Sequence, residues 1–368
     1  MKLRCERDAL VNRLGSCSRA TSSRGGALPA LSGLHLKVDD GVLTVTGSDR
    51  ELTIRSTITV TAEETGEAVI PARLFHDIVR SLDAGRVDIE VSAGLATITG
   101  GRSKFRIETI PVEDYPRLET PSGELMSLAA EELSNGLRQV VIAASNDDSR
   151  PILTAVLISS EDEGLRLVAT DSYRLAVRDL PNSTSLGGGK NVLVPSKALN
   201  ELVRVLVDAQ AVDVTLGEQN VSFEVSDEDG RVQVSTKLIE GSFPPYRNLI
   251  PDSYPNELRI GREALLEAVR RVKLVARDAA PLRVTQQSDG AALTVRSQDT
   301  GEATEFVDGV YTGEELEVAF NPDYLIAGIE AAVGDEVVLK TVDSLKPAVL
   351  QAGESSDFTY LLMPVRVS

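Results

Sequence analysis

Apolar residues recur with helical spacing in six places along the chain, and with a period of two between them. The first helical pattern runs over Arg7–Ala20, with Leu10, Val11, Leu14 and Cys17 on one face. The second covers Ala129–Ser145 (Leu133, Leu137, Val140, Val141, Ala144) and the third Gly261–Arg277 (Leu265, Ala268, Val269, Val272, Val275). A further helix is predicted in each third of the chain, over 72–82, 196–207 and 321–332. Pro71 and Pro195 suit helix starts, where a missing N–H costs nothing. Asn321 before Pro322 reads as an N-cap followed by N1. The alternating segments GVLTVTG, GLRLVAT and GAALTVR begin at Gly41, Gly164 and Gly290, and each second helix is followed by a β-branched hairpin pattern.

These landmarks repeat at one period. Phe75, Leu199 and Leu325 are separated by 124 and 126 residues, and the three strand glycines by 123 and 126. The 368 residues therefore divide into three copies of one α+β unit, two helices on an antiparallel sheet. Clusters of Pro, Gly, Ser and Asp near 121–123 and 251–255 set the expected domains at 1–120, 121–250 and 251–368. Repetition with a constant rotation makes an arc, and arcs close by self-association.

Charge changes this picture. The chain carries 38 Lys and Arg against 56 Asp and Glu, a net of −18, which argues against a surface coated for nucleic acid. The six helical segments nevertheless hold 13 basic and 9 acidic residues, so −22 lies outside them. Basic residues favour helices and their last turns for local reasons, and that is one reading. The other is a mildly basic helical face directed at a polyanion, with diffuse, salt-dependent, sequence-blind phosphate contacts. Six helices packed about 9.5 Å apart in a ring leave a hole of roughly 8 Å, and twelve leave roughly 26 Å. B-DNA is roughly 20 Å across, so two chains are needed to surround it.

Other chemistry is sparse. Two cysteines, Cys5 and Cys17, match neither a zinc site nor a redox pair, and a reducing, cytoplasmic setting is expected. No apolar run is long enough for a membrane helix, and the charged first ten residues do not read as a secretory leader. SLGGGKN around Lys190 lacks the first glycine of a P-loop and has Asn191 where Ser or Thr is required. His35, in a strand, and His76, on a helix, read as structural. Asp171 reads as a turn residue without an obvious partner. No cofactor, metal or catalytic residue is expected.

The segments ATDSYRLAV (169–177), LIEGSFPPYRNLIP (238–251), AFNPDYLIAGI (319–329) and YLLMPVRVS (360–368) resemble the β subunit of bacterial DNA polymerase III, the sliding clamps. SRPILTAVLI (149–158) and ALPALSGLHLKV (27–38) match further landmarks, so the resemblance spans the chain. It implies a non-catalytic, head-to-tail homodimer: a ring of six domains that surrounds duplex DNA, is opened by a clamp loader, and tethers the replicative polymerase. Partners would dock a short Gln- and Leu-containing peptide in a cleft between the second and third domains. By matching motifs, Leu153, Thr170, Ser172, Tyr173, Arg174 and Leu175 would line it, with Pro244, Asn248 and Leu249. The third domain would add Asn321, Tyr324, Leu345 and Pro347, and the terminal strand Met363, Pro364, Val365 and Arg366. Such a set gives an apolar floor with arginines for carbonyls or a carboxylate, although the same leucines would serve to join two domains.

The resemblance also implies DNA contacts at Arg24, Arg73 and Arg150, with Pro151 and Ile152 standing where some members have an aromatic pair. Many members have Gly and His in place of Ser172 and Tyr173, which makes this rim bulkier. Ring closure would join an edge strand carrying Phe105 and Ile107 to the region of Leu274 and Val275. Two other classes compete: a three-domain ligand-binding rod, which would need export, and an enzyme using Asp171, Tyr173 and Arg174 at a domain junction.

Overall fold

A computed structural model describes residues 1–22, 28–118, 122–161, 164–181, 183, 189–276, 280–353 and 357–366. Arg24, Pro121, Arg277, most of the SLGGGKN segment and the last two residues lie outside the described set.

The first third contains β1 (Lys2–Glu6), α1 (Arg7–Ser18), β2 (Gly33–Asp39), β3 (Val42–Ser48), β4 (Leu52–Thr59), β5 (Thr61–Glu64), β6 (Gly66–Pro71), α2 (Ala72–Ser81), β7 (Arg86–Ser92), β8 (Leu95–Gly100) and β9 (Ser103–Glu108). The second contains β10 (Glu124–Ala129), α3 (Ala130–Val140), β11 (Ala155–Glu161), β12 (Gly164–Thr170), β13 (Arg174–Leu180), β14 (Val192–Pro195), α4 (Ser196–Val205), β15 (Ala211–Leu216), β16 (Asn220–Ser226) and β17 (Gly230–Lys237). The third contains β18 (Asn256–Gly261), α5 (Arg262–Lys273), β19 (Leu282–Gln287), β20 (Gly290–Ser297), β21 (Gly301–Thr312), β22 (Leu316–Phe320), α6 (Pro322–Ala331), β23 (Glu336–Thr341), β24 (Ala348–Ala352) and β25 (Phe358–Leu362). Strand, helix, four strands, helix, three strands is thus the repeat, with the short β5 added in the first copy.

The helices end a little before their apolar patterns do. α3 tightens into a 3₁₀ turn at Val141–Ala143, where consecutive β-branched residues weaken the α-helix. Pro71 and Pro195 lie one residue earlier than N1: each closes a strand and immediately precedes a helix. Both strands, β6 and β14, are sheet edges, where the missing N–H interrupts no ladder. The pairing of Asn321 and Pro322 is as the sequence predicts, with Asn321 Oδ1 accepting from the N–H of Asp323 (2.8 Å) and Tyr324 (3.3 Å).

The strands gather into two compact units. The first comprises Met1–Ser134 and Lys197–Leu238. It holds a five-stranded sheet, β5-β1-β7-β8-β9, and an eight-stranded sheet, β10-β15-β16-β17-β4-β3-β2-β6. One buried cluster joins Leu10, Leu14 and Cys17 of α1 to Phe75, Ile78 and Val79 of α2 and to both sheets. The second unit comprises Asn135–Ser196 and Ile239–Ser368. Its twelve strands run β14-β11-β12-β13-β25-β24-β23-β18-β21-β20-β19-β22. The second repeat therefore supplies strands to both units, through β17 on β4 (Val234 opposite Ile54) and β13 on β25 (Leu175 opposite Leu361).

In the first unit, Arg13 of α1 is 5% exposed and grips Asp227, after β16, with both Nη atoms, one at 2.8 Å. Asp227 also accepts from the N–H of Asp229 and Gly230. Burial works against its carboxylate, but the guanidinium and the two N–H groups outweigh that and hold its pKa below the ordinary value. Arg13→Ala should cost about 2 kcal/mol, a value reduced from the fully buried case because Asp227 is half exposed. The depressed carboxyl contributes above its unfolded value and is lost as pH falls through its folded one. Urea titrations of parent and variant should therefore differ at pH 7, still differ at the ordinary carboxyl value of about 4, and converge only as pH falls well below it.

Cys5 and Cys17 are free and buried, and burial pushes both thiols up to about 12. They are packing residues at neutral pH. Among the described residues no helix is long and apolar enough to cross a membrane.

Candidate functional site

Within the second unit, the turn from β12 to β13 places Ser172 at φ +81°, a conformation that disfavours a side chain. Neighbouring side chains hold it there. Thr170 Oγ1 donates to the carbonyl of Arg174 (2.6 Å) and accepts from the N–H of Ser172 (3.1 Å). Asp171 Oδ1 accepts from the N–H of Tyr173 (2.9 Å) and Arg174 (3.0 Å), and Oδ2 takes Nε of Arg174 (3.0 Å). Asp171 thus has a partner that the sequence reading missed, three residues along, and its carboxylate is committed to the turn. That occupies the one carboxylate the junction-enzyme reading relied on.

The turn presents Tyr173, 58% exposed, next to Tyr324 of α6. The two rings stack at 6.4 Å and 28°. The guanidinium of Arg174 lies 4.4 Å over the Tyr324 ring. Asn321 fixes the start of α6, and Tyr360 Oη donates to the carbonyl of Tyr324 (3.0 Å). Burial raises the Tyr360 phenol to about 12, so it keeps the proton it donates. Tyr360 reaches α6 because residue 328 is glycine: a Cβ there would come within 2.4 Å of its ring. The chain after β25 is tied on, with Met363 N–H donating to the carbonyl of Tyr173 (2.9 Å) and Val365 N–H to that of Ala319 (2.8 Å).

The expected cleft residues separate into two sets. Leu153, Thr170 and Leu175 are buried, and Leu175 belongs to a cluster with Tyr246, Val349 and Leu361. These weld strands together. Tyr173, Leu249, Leu345, Met363 and Val365 are exposed apolar residues. Ser172, Asn248 and Arg366 are exposed polar ones, and Pro244, Pro347 and Pro364 are half-buried. Leu345 sits on a turn whose N–H groups bind Asp343 Oδ1. A cavity of about 1000 Å³ lies elsewhere in this unit, between α3 and α6, lined by Arg138, Arg178, Glu330 and Glu336 among others. Its lining is of mixed charge, whereas Tyr173, Leu249, Leu345, Met363 and Val365 are apolar and exposed.

Arg73 on α2 is 95% exposed, with Asp77 at 3.9 Å. Arg150 is bound by Asp147 (2.9 Å) and reaches Ser172 Oγ at 3.5 Å. Pro151 is exposed, whereas Ile152 packs partly on the Leu175 cluster. The basic stretch of α5 is less free than its sequence suggests: Arg270 pairs with Glu330, Arg271 with Glu267 and Glu305, and Lys273 with Asp323. Phe105 and Ile107 lie on β9, which pairs only with β8 among the described strands. Leu274 follows α5 and is 82% exposed. The carbonyl of Val275 accepts from Thr300 Oγ1 (2.6 Å) at the start of β21.

Three descriptions match in succession: the DNA polymerase III beta subunit N-terminal domain over residues 1–119, its central domain over 127–245, and its C-terminal domain over 247–366. A beta sliding clamp of Streptomyces coelicolor is 34% identical over 382 aligned positions, covering all of both chains. The Bacillus subtilis sliding clamp structure superposes with TM-score 0.89 at 29% identity, covering all of both chains. A Bartonella birtlesii sliding clamp bound to griselimycin superposes with TM-score 0.92 at 29% identity, again covering all of both chains.

Proposed function

The chain belongs to the DNA polymerase III beta subunit family, the non-catalytic sliding clamps, and from that we propose that two copies close head to tail around duplex DNA and make the replicative polymerase processive. The observation that carries this reading is the threefold repeat with an unpaired strand edge in the first repeat and another in the third. β9 is paired on one side only, and so are residues 301–308 of β21 among the described strands. The exposed Leu274 stands beside the latter edge, with Phe105 and Ile107 on the former. Joining the two edges continues a sheet and covers apolar side chains in one step.

Twelve helices then surround the duplex, and the domains fall at 1–120, 121–250 and 251–368. Arg24, Arg73 and Arg150 supply phosphate contacts, with Pro151 and Ile152 alongside. The ion pairs along α5 keep the lining weakly basic, which suits retention by topology rather than by tight contact. A clamp loader opens the ring. Partner peptides dock on the apolar surface around Tyr173, Leu249, Leu345, Met363 and Val365. That a related clamp takes up griselimycin supports a ligand site on this fold.

Topology gives the test. Protein loaded by a clamp loader onto nicked circular DNA should be retained through gel filtration, and a single restriction cut should release most of it. Equal retention on cut and uncut circles would mean contact binding and would overturn the ring.

A further inference from the structure

We propose that the cavity between α3 and α6 is a binding site for a small zwitterion with an apolar middle, of the class of short peptides with both ends free. Its volume, about 1000 Å³, is at the upper end of what ligand pockets enclose. The charges of its lining are sorted by origin. The basic residues, Arg138 of α3 and Arg178 of β13, belong to the second repeat. The acidic residues, Glu330 of α6 and Asp335 and Glu336 after it, belong to the third. Ile142, Ala327 and the buried Phe358 supply apolar surface. Among the described residues no ion pair joins the two charged sets. Glu330 turns to Arg270, and Arg178 reaches Asp357 at 3.9 Å. The two helices are joined instead by Gln139, whose Nε2 donates to the carbonyl of Ala331 (2.8 Å). Opposite charges that line one cavity without meeting are complementary to a ligand that carries both signs.

Two details set the polarity of the site. The side chain of Arg178 is 20% exposed, yet its Nε is buried and has no hydrogen-bond partner among the described residues. A buried guanidinium donor left in this way is unfavourable unless an acceptor comes to it. On the other side, α6 carries Glu330 in its last turn and no basic residue there, the reverse of what the helix dipole favours. A carboxylate satisfies the first wall and an ammonium group the second. A purely anionic ligand would meet Asp335 and Glu336, and a purely cationic one the two arginines, so both ends are required. The cavity shares no lining residue with the surface around Tyr173.

The test is calorimetric titration of the tripeptide alanyl-phenylalanyl-alanine, with free ends, N-acetylated or C-amidated, into the full chain and its variants. The free tripeptide should bind the parent, and capping either end should weaken it by about tenfold, the value of one hydrogen bond to a charged group. Arg178→Met should weaken the free tripeptide by the same factor and leave the amide no weaker than in the parent. Arg138→Gln, at an exposed helix position that tolerates the change, should act in the same sense by about 3-fold. Glu336→Gln, also exposed, should weaken the free and amidated forms but not the acetylated one. Absence of binding to the parent, or equal affinity for free and capped forms, would overturn the zwitterion site. Binding that all three variants leave unchanged would place the tripeptide elsewhere and overturn it equally.

Discussion

A chain carrying Leu274→Asp should scatter light as a 39.4 kDa monomer at concentrations where the parent has twice that mass. Leu274 is 82% exposed, the most open of the large apolar residues among those described. It stands just past α5, next to Val275, whose carbonyl is held by Thr300 at the start of β21. From Gly301 to Asp308 that strand is paired with β20 on one side. The complementary edge is β9, with Phe105 and Ile107 half-buried against the core of the first unit. Covering a leucine contributes about 2 kcal/mol, and a carboxylate in its place adds a desolvation cost. A head-to-tail ring of two chains contains this contact twice. The combined loss is about 5 kcal/mol or more, between three and four decades in the dissociation constant. Leu125→Asp is the control, because Leu125 is 68% exposed on β10, another sheet edge. It should leave the mass at the dimer value. A dimer that survives Leu274→Asp would place closure on a different surface.

The repeat was legible in the sequence because it is written in short-range periodicities that recur at one spacing. Leu10, Leu14 and Cys17 face the core as their i, i+4, i+7 spacing requires, and the Asn321 cap forms as its residue type predicts. The sharing of the second repeat between two units was not legible. It depends on β17 finding β4, with Thr236 opposite Leu52, and on β13 finding β25. Those are choices between distant edges that no local pattern encodes. Charge misled in a similar way. The helical segments count as mildly basic, yet on α5 Arg270, Arg271 and Lys273 are met by acids from α6, β21 and α5 itself. At the proposed docking surface, sequence motifs could not separate buried joints such as Leu175 from exposed residues such as Tyr173. Nor could they pair Asp171 with Arg174, although an acid three residues before an arginine in a turn was a usable signal.

Removal of Met363–Ser368 should abolish peptide docking while leaving the ring-forming edges intact. The cut falls just after β25, which ends at Leu362 and keeps its ladders to β13 and β24. Tyr360 and Leu361, both buried, stay in place. Among the described residues, the lost backbone contacts are the hydrogen bonds from Met363 to Tyr173 and from Val365 to Ala319, worth about 2 kcal/mol of stability together. The loss at the surface is larger. Met363 and Val365 are each 37% exposed, and they go together with Pro364 and the exposed Arg366. Deleting two apolar anchors and an arginine removes about 3 kcal/mol or more of contact, at least a hundredfold in affinity. Without Met363 the carbonyl of Tyr173 also loses its tether, so the turn that presents the aromatic ring is less well held. Calorimetry with griselimycin should show no heat of binding, and light scattering should still report the mass of two shortened chains. Undiminished affinity would move the docking surface away from the C-terminal segment. Loss of the dimer would instead show that the last six residues act on closure, which nothing in their contacts to Tyr173 and Ala319 requires.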